Sequence, residues 1–322
     1  MNQRNASHVT MLFQPLFRRV WPFFKRFVPS SIMERAKQYR KLNGEEQAGS
    51  SDAVEIIRLQ QLPRLEAGTT VRDGQVFHFT DAKTYLHEYH QIFCNRCYDF
   101  PCSTRSPRII DCGANVGMAC RYWLMRYPEA HITAFEPDPV IFEVLKNNLS
   151  NVGAGHVDLH QAALWRTEAA MSFISTGDES GHLSNSPSDS RGSKCTVSTK
   201  RLSTFLESEV DFLKIDVEGA EVDILIEAKE KLANVKAIWL EYHSYINSPQ
   251  RLSEALKVLE QNGFRYHIVT ESVSLKPLEK LEADYGMDQR LNVWAVRGNQ
   301  FPNMVEIERD GLGHLAGGAP SK

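Results

Sequence analysis

Short runs of apolar residues separated by helix-period segments dominate the chain from Arg108 onward. "RIIDC" (108–112), "HITAFEP" (131–137), "HVDLHQAAL" (156–164), "DFLKID" (211–216), "VKAIWLE" (235–241), "FRYHIV" (264–269) and "LNVWAVR" (291–297) read as seven strands. Between the first three, Gly117 to Tyr127 reads as a helix, and Asp138 caps a second helix that Pro139 opens, with Ile141, Val144, Leu145 and Leu149 on one face. Strands alternating with helices predict an open, doubly wound α/β sheet covered on both faces. Upstream, "TTVRDGQVFHF" alternates around Asp73-Gly74 as a hairpin does, and "TDAKTYLHEYHQIF" follows with a capping Thr or Asp and helical spacing.

The ends of the chain lack this pattern, so four parts are expected: a basic, aromatic-containing extension (1–50), a small hairpin-plus-helix module (51–107), the α/β domain (108–300) and a flexible tail (301–322). "TGDESGHLSNSPSDSRGSK" (176–194) is nearly free of apolar residues and reads as a mobile loop, by length a lid or acceptor-side flap.

Charge narrows the partners. The net charge is −3, but residues 1–43 carry nine Lys/Arg against the single acid Glu34, a local +8 that leaves the remainder near −11. So acidic a body lacks the footprint for nucleic acid. In the basic arm, "MLFQPLFRRVWPFFKRFV" (11–28) interleaves Phe and Trp with Arg and Lys. Arg18, Arg19 and two prolines forbid a spanning helix, which leaves packing on the body or peripheral contact with an anionic membrane. Six cysteines in 322 residues form no disulfide framework and suit a reduced, cytoplasmic setting. "CNRCYDFPC" lacks the second CxxC or His pair of a zinc site, and the cysteines read as small apolar fillers.

In such sheets ligands collect beyond the carboxyl ends of the strands. The first strand ends in "DCGANVG", where Gly113 and Gly117 permit a sharp turn and Asp111 and Asn115 bring polar groups. The spacing is G-x-x-x-G, not the dinucleotide G-x-G-x-x-G, which favours a ligand with an amino-acid moiety whose ammonium meets Asp111. Glu136, ending the second strand, can accept from both hydroxyls of a ribose, and the backbone of Gln161 and Ala162 can flank an adenine. In "FLKIDVEGAEVDIL" (212–225), Asp216 ends the fourth strand with Glu218 beside it in the turn. Glu221 and Asp223 read as helix-start acids, with Asp223 facing solvent opposite the inner face of Val222, Leu225 and Ile226.

"IIDCGANVG", "FEPDP", "FLKIDVEGAE" and "WLEYH", in this order and spacing, resemble the FkbM family of S-adenosylmethionine-dependent methyltransferases. The resemblance runs from about Asp81 to Arg297 and omits the basic arm and the tail. It implies a class I Rossmann-like fold, mostly parallel with an antiparallel last strand. It further implies O-methylation of a hydroxyl on a sugar, glycolipid or secondary metabolite, with Asp111, Gly113, Asn115, Gly117 and Glu136 holding S-adenosylmethionine. Cys112 stands where an aliphatic residue is commoner, and the long polar insertion after Ile174 leaves the acceptor open.

Methyl transfer to an alcohol needs in-line alignment and removal of the hydroxyl proton. His243, two residues past Glu241, is the first candidate base, and Asp216 could orient the acceptor, take its proton or join Glu218 at a divalent cation. Hard oxygen ligands there suit Mg2+, but no spacing fixes a metal site and none is assigned. Two rivals remain: an NAD-linked oxidoreductase on a Rossmann-like fold, disfavoured by the glycine spacing, and an inactive membrane-docked binding protein of the same fold, disfavoured by the intact strand-end acids.

Overall fold

The computed structural model describes residues 51–298 except 73, 151–155, 178–180, 184–191, 272–273, 275–276 and 284. The expectations for the basic arm, its membrane-contacting segment 11–28 and the tail from 301 lie outside the described residues, as does most of the polar stretch 176–194. The chain divides into two compact units, 1–61 and 62–322. Of the first, the described part is a helix, α1 (Ser51–Gln60), with an Arg58–Glu55 ion pair on its surface.

The second unit opens with the expected hairpin. β1 (Gly68–Arg72) and β2 (Gln75–Phe79) pair antiparallel, with Arg72 opposite Gln75. α2 (Ala82–Tyr89) starts at Asp81, whose carboxylate accepts from the backbone N–H groups of Lys83 and Thr84 and supplies two orphan donors of the first turn with a partner. A π-helical turn, His90–Cys94, continues α2.

Next come β3 (Arg108–Cys112), α3 (Met118–Arg126), β4 (His131–Phe135), α4 (Pro139–Leu149) and β5 (Val157–His160). Asp138 caps α4 through the N–H groups of Val140 and Ile141, with Pro139 in the first turn, as its sequence requires. Then follow β6 (Ala163–Leu164), β7 (Ala170–Ser175), β8 (His182–Leu183), β9 (Ser193–Lys200), β10 (Val210–Ile215), α5 (Glu221–Ala228), β11 (Val235–Tyr245), α6 (Leu252–Gln261), β12 (Phe264–Thr270) and β13 (Met287–Arg297).

The main sheet has seven strands in the order β12-β13-β11-β10-β3-β4-β5. β13 runs antiparallel to both neighbours and the other pairings are parallel, as expected. β10 is buried at every position, which is why its apolar residues Val210, Phe212, Leu213 and Ile215 do not follow a simple alternation. Ile110, Leu213, Ile238 and Val293 belong to one core with Ile224, Leu225 and Leu259 of α5 and α6.

Two expectations change. "HVDLHQAAL" is not one strand: it leaves the main sheet after His160, and Ala163–Leu164 joins a separate four-stranded sheet, β6-β9-β7-β8. The polar stretch 176–194 is correspondingly not one loop, since it holds β8 and the first residues of β9. These strands are short or mostly exposed, with Ala163, Leu164, Phe173, Ile174 and Val197 as their buried apolar residues, so their sequences carry a weak apolar signal.

Candidate active site

β3 is flanked by β4 on one side and β10 on the other, so the order reverses there and the chain leaves the two strands in different directions. That divergence opens a crevice at the carboxyl ends. A cleft of about 860 Å³, open solvent at its mouth included, lies there. Its wall includes Gly113, Asn115, Glu136, Ala162, Lys214, Asp216 and Glu218, with apolar surface from Phe135, Ile141 and Leu164.

The turn after β3 forms because its backbone is held from both neighbours. Gly113 and Ala114 donate to the carbonyl of Phe135, and Asp216 donates to the carbonyl of Cys112. Gly113 has φ +89°, and a Cβ there would lie 1.8 Å from the carbonyl oxygen of Asp216, so only glycine fits. Asn115 (φ +48°) and Glu218 (φ +55°) are left-handed non-glycine residues, a conformation that concentrates at functional sites.

Glu136 is buried, and its two oxygens accept from the backbone N–H of Asn115 (2.9 Å) and of Asp138 (2.8 Å). Burial pushes this carboxyl up to about 8 against the pull of those two donors. The Asn115 side chain donates to Glu88 at 2.8 Å, while its Oδ1 is buried and makes no hydrogen bond among the described residues.

Three expected cofactor residues do not reach the wall. Asp111 is fully buried, with Lys214 Nζ at 3.3 Å from one oxygen and the Cys120 thiol donating to the other at 3.4 Å. Gly117 serves packing: a Cβ there would lie 2.6 Å from the Leu145 side chain, so glycine admits the close approach of α4. Gln161 is exposed and accepts from the Ser198 hydroxyl through its carbonyl, whereas Ala162 does line the cleft.

Lys214 went unnoticed in the sequence. Its ammonium donates to the Gly113 carbonyl at 2.7 Å and stands 3.3 Å from both Asp111 and Asp216, tying β10 to the turn after β3. Burial would lower its pKa, but Asp111 and Asp216 outweigh that and hold it raised. The only signal was a lysine inside a mostly apolar, fully buried strand, which needs a buried counter-charge.

The acids of "DVEGAEVD" divide between the cleft and the interior, and two of them depart from expectation. Asp216 and Glu218 face the cleft. Glu221, expected as a helix-start acid, is almost fully buried: one oxygen accepts from the N–H groups of Gly219 (2.8 Å) and Val217 (3.3 Å) and from His243 Nδ1 (2.9 Å). Asp223, expected to face solvent, is buried between Arg251 (2.7 Å) and Arg166. Both misreadings arise because the partners come from residues distant in sequence.

His243 is not on the wall. It is buried, with Nε2 at 3.5 Å from Glu241 and 3.6 Å from Glu218. Burial alone would lower its pKa, but Glu218 and Glu221 hold it well above the usual histidine range. Buried behind Glu218 and off the cleft wall, with its proton held by these acids, His243 is poorly placed to act as the base. Glu218 is itself pushed up to about 8, chiefly by burial and by Asp216, against the opposing effect of His243.

A seven-stranded sheet in this order, with its cleft at the reversal point, is the class I methyltransferase form of the Rossmann-like fold. Residues 111–266 match the methyltransferase FkbM domain. The chain is similar to Methyltransferase 1 of Beauveria bassiana (strain ARSEF 2860), 30% identical over 164 residues, 44% of this chain and 65% of that protein. Methyltransferase sdnD of Sordaria araneosa is 31% identical over 171 residues, 42% of this chain and 66% of that protein. 2-O-methyltransferase NoeI of Sinorhizobium fredii (strain NBRC 101917 / NGR234) is 28% identical over 159 residues, 42% of this chain and 63% of that protein. The chain thus spans slightly less than two thirds of the length of these relatives.

Proposed function

We propose that the protein transfers the methyl group of S-adenosylmethionine to a hydroxyl of a small acceptor, a sugar, glycolipid or secondary metabolite. The observation that carries this reading is Glu136, whose oxygens are each fixed by one backbone N–H and keep lone pairs for the two hydroxyls of a ribose. The cleft suits the rest of the cofactor: Ala162, Phe135 and Ile141 offer apolar surface to an adenine, and the unpartnered Asn115 Oδ1 offers an acceptor to a polar group. The name of NoeI, a 2-O-methyltransferase, is the support for oxygen as the acceptor atom.

The sulfonium supplies the reactive methyl, so the protein's part is alignment and proton removal. As the O–CH3 bond forms, the S–CH3 bond breaks with its electron pair on sulfur, leaving S-adenosylhomocysteine, a methyl ether and one proton. Asp216 and Glu218, on the wall, hold the acceptor and take that proton; His243, packed against Glu218, positions them.

The four-part division at 50, 107 and 300, peripheral membrane contact through residues 11–28 and a cytoplasmic location belong to the same proposal. No helix among the described residues is long and apolar enough to cross a membrane. Calorimetric titration with S-adenosylmethionine and with NADH tests the reading: binding of the former alone is expected, and binding of NADH alone would overturn it.

A further inference from the structure

Beyond methyl transfer, the carboxyl ends of β10 and β11 bring three metal-ligating groups together. Parallel pairing sets Ile215 beside Leu240, so Asp216 and Glu241 follow as neighbours, and His243, two residues on, shares the side of β11 that Glu241 uses. One donor atom each from Asp216, Glu241 and His243 lies within 4.8 Å of the others. Donors held by one ion at about 2.1 Å stand about 3.0–3.4 Å apart in cis or tetrahedral positions, so the set closes on an ion with side-chain shifts of about an ångström.

A group of acids alone would not mark a site, but the histidine adds an independent sign. His243 is 5% exposed, and its Nε2 faces Glu241 and Glu218 without making a hydrogen bond. Its other nitrogen is engaged by Glu221 at 2.9 Å. This division, one nitrogen fixed by a carboxylate and the other aimed at further acids, is how a metal-binding imidazole is oriented and its tautomer set. The surrounding charge asks for a cation as well. Asp111, Asp216, Glu218, Glu221 and Glu241 are opposed in this region by the ammonium of Lys214, the guanidinium of Arg290, 3.7 Å from Glu241, and the His243 ring, whose proton a metal ion would replace.

We infer that Asp216, Glu241 and His243 bind one divalent first-row transition ion, such as Mn2+, Fe2+, Co2+ or Zn2+, at the floor of the cleft. The imidazole ligand separates this site from the all-oxygen Mg2+ arrangement expected of Asp216 and Glu218. Asp216 is also on the cleft wall, so the ion has an open side toward the acceptor. Such an ion would supply Lewis-acid activation of an acceptor hydroxyl, with Glu218 placed beside it to receive the proton.

The role of the ion rests on the methyltransferase reading, but its binding is measured without it. The full chain, stripped with a chelator, is titrated with Mn2+ by calorimetry and electron paramagnetic resonance, and with Co2+ by absorption. One ion per chain is expected, with at least tenfold weaker binding in E241Q and in H243A and a changed Co2+ spectrum in H243A. E241Q, on a partly exposed side chain, guards against a folding defect in H243A. No Mn2+, Co2+ or Zn2+ binding by the wild-type chain, or equal affinity in both variants, would overturn the site and leave a proton as the cation. S-adenosylmethionine binding, titrated in parallel, separates the two readings: loss of either activity leaves the other standing.

Discussion

Glu221 Oε1 stands 2.9 Å from His243 Nδ1, and each side chain is 1% exposed. The pair joins the first residue of α5 to β11, and the same oxygen also receives the N–H groups of Gly219 and Val217. One carboxylate therefore fixes both the turn that carries Glu218 and the ring beneath it. Removing one member of a buried charged pair leaves the other without compensation, so E221A should cost about 3–5 kcal/mol in urea unfolding. E221Q, which retains a side-chain oxygen, should cost less. Equal stability of E221A and wild type would show that the interaction is not maintained in solution.

On the proposed ribose-binding role of Glu136, its carboxyl gives S-adenosylmethionine binding a pH dependence with a definite sign. Burial raises it to about 8 from an ordinary 4.5. A ribose diol donates two hydrogen bonds and so favours the ionised form. S-adenosylmethionine affinity should rise between pH 6 and 8, by about tenfold per unit at most, and level off above. Calorimetry in buffers of different ionisation enthalpy should detect proton release below pH 8. In E136Q both the pH slope and the proton release should disappear, with weaker binding throughout. The unfolded chain releases this proton near 4.5 and the folded chain near 8, so stability from this group falls across the same window and should be flatter in E136Q.

Two glycines with similar backbone angles should respond differently to alanine. Gly113 and Gly74 have φ of +89° and +73°, but a Cβ at 113 meets the Asp216 carbonyl at 1.8 Å, and one at 74 meets nothing within 4 Å. G74A should cost about 1–2 kcal/mol, the penalty of the left-handed conformation. G113A adds a backbone collision at the site and should cost more than about 4 kcal/mol or abolish folding. Thermal unfolding of the two variants side by side checks the contrast.

Asp223 is expected to act through structure. Its carboxylate holds Arg251 and Arg166, of which the second is half exposed. D223A should lower stability by about 1–2 kcal/mol, less than a fully buried pair because solvent screens the arginines, and R166A alone by under about 1 kcal/mol. Calorimetric S-adenosylmethionine affinity should be unchanged in both, since neither residue lines the cleft.

Asp216 should separate binding from turnover. D216N keeps the side-chain shape but removes the charge facing Lys214 and the cleft. Turnover, followed as S-adenosylhomocysteine formed, is expected to fall about 100-fold or more, with S-adenosylmethionine affinity within about threefold of wild type. Unaltered turnover would remove Asp216 from the chemistry.

What the sequence by itself determined is local. The alternation in "TTVRDGQVFHF", the mostly apolar β10 and the Asp138-Pro139 start of α4 depend on residues a few positions apart, and each appears where expected. Gly113, Asn115, Glu136, Asp216 and Glu218 were legible because they sit at strand ends, and they share one cleft. Tertiary structure decided which charges meet. Lys214 finds Asp111 across adjacent strands, Asp223 finds Arg166 57 residues away, and Glu221 finds His243 22 residues away. It also moved Asp111 from the ligand's side to a buried pair and split "HVDLHQAAL" between two sheets. Periodicity records which face of an element avoids water; the partner of a buried charge depends on strand order, which no short window of sequence contains.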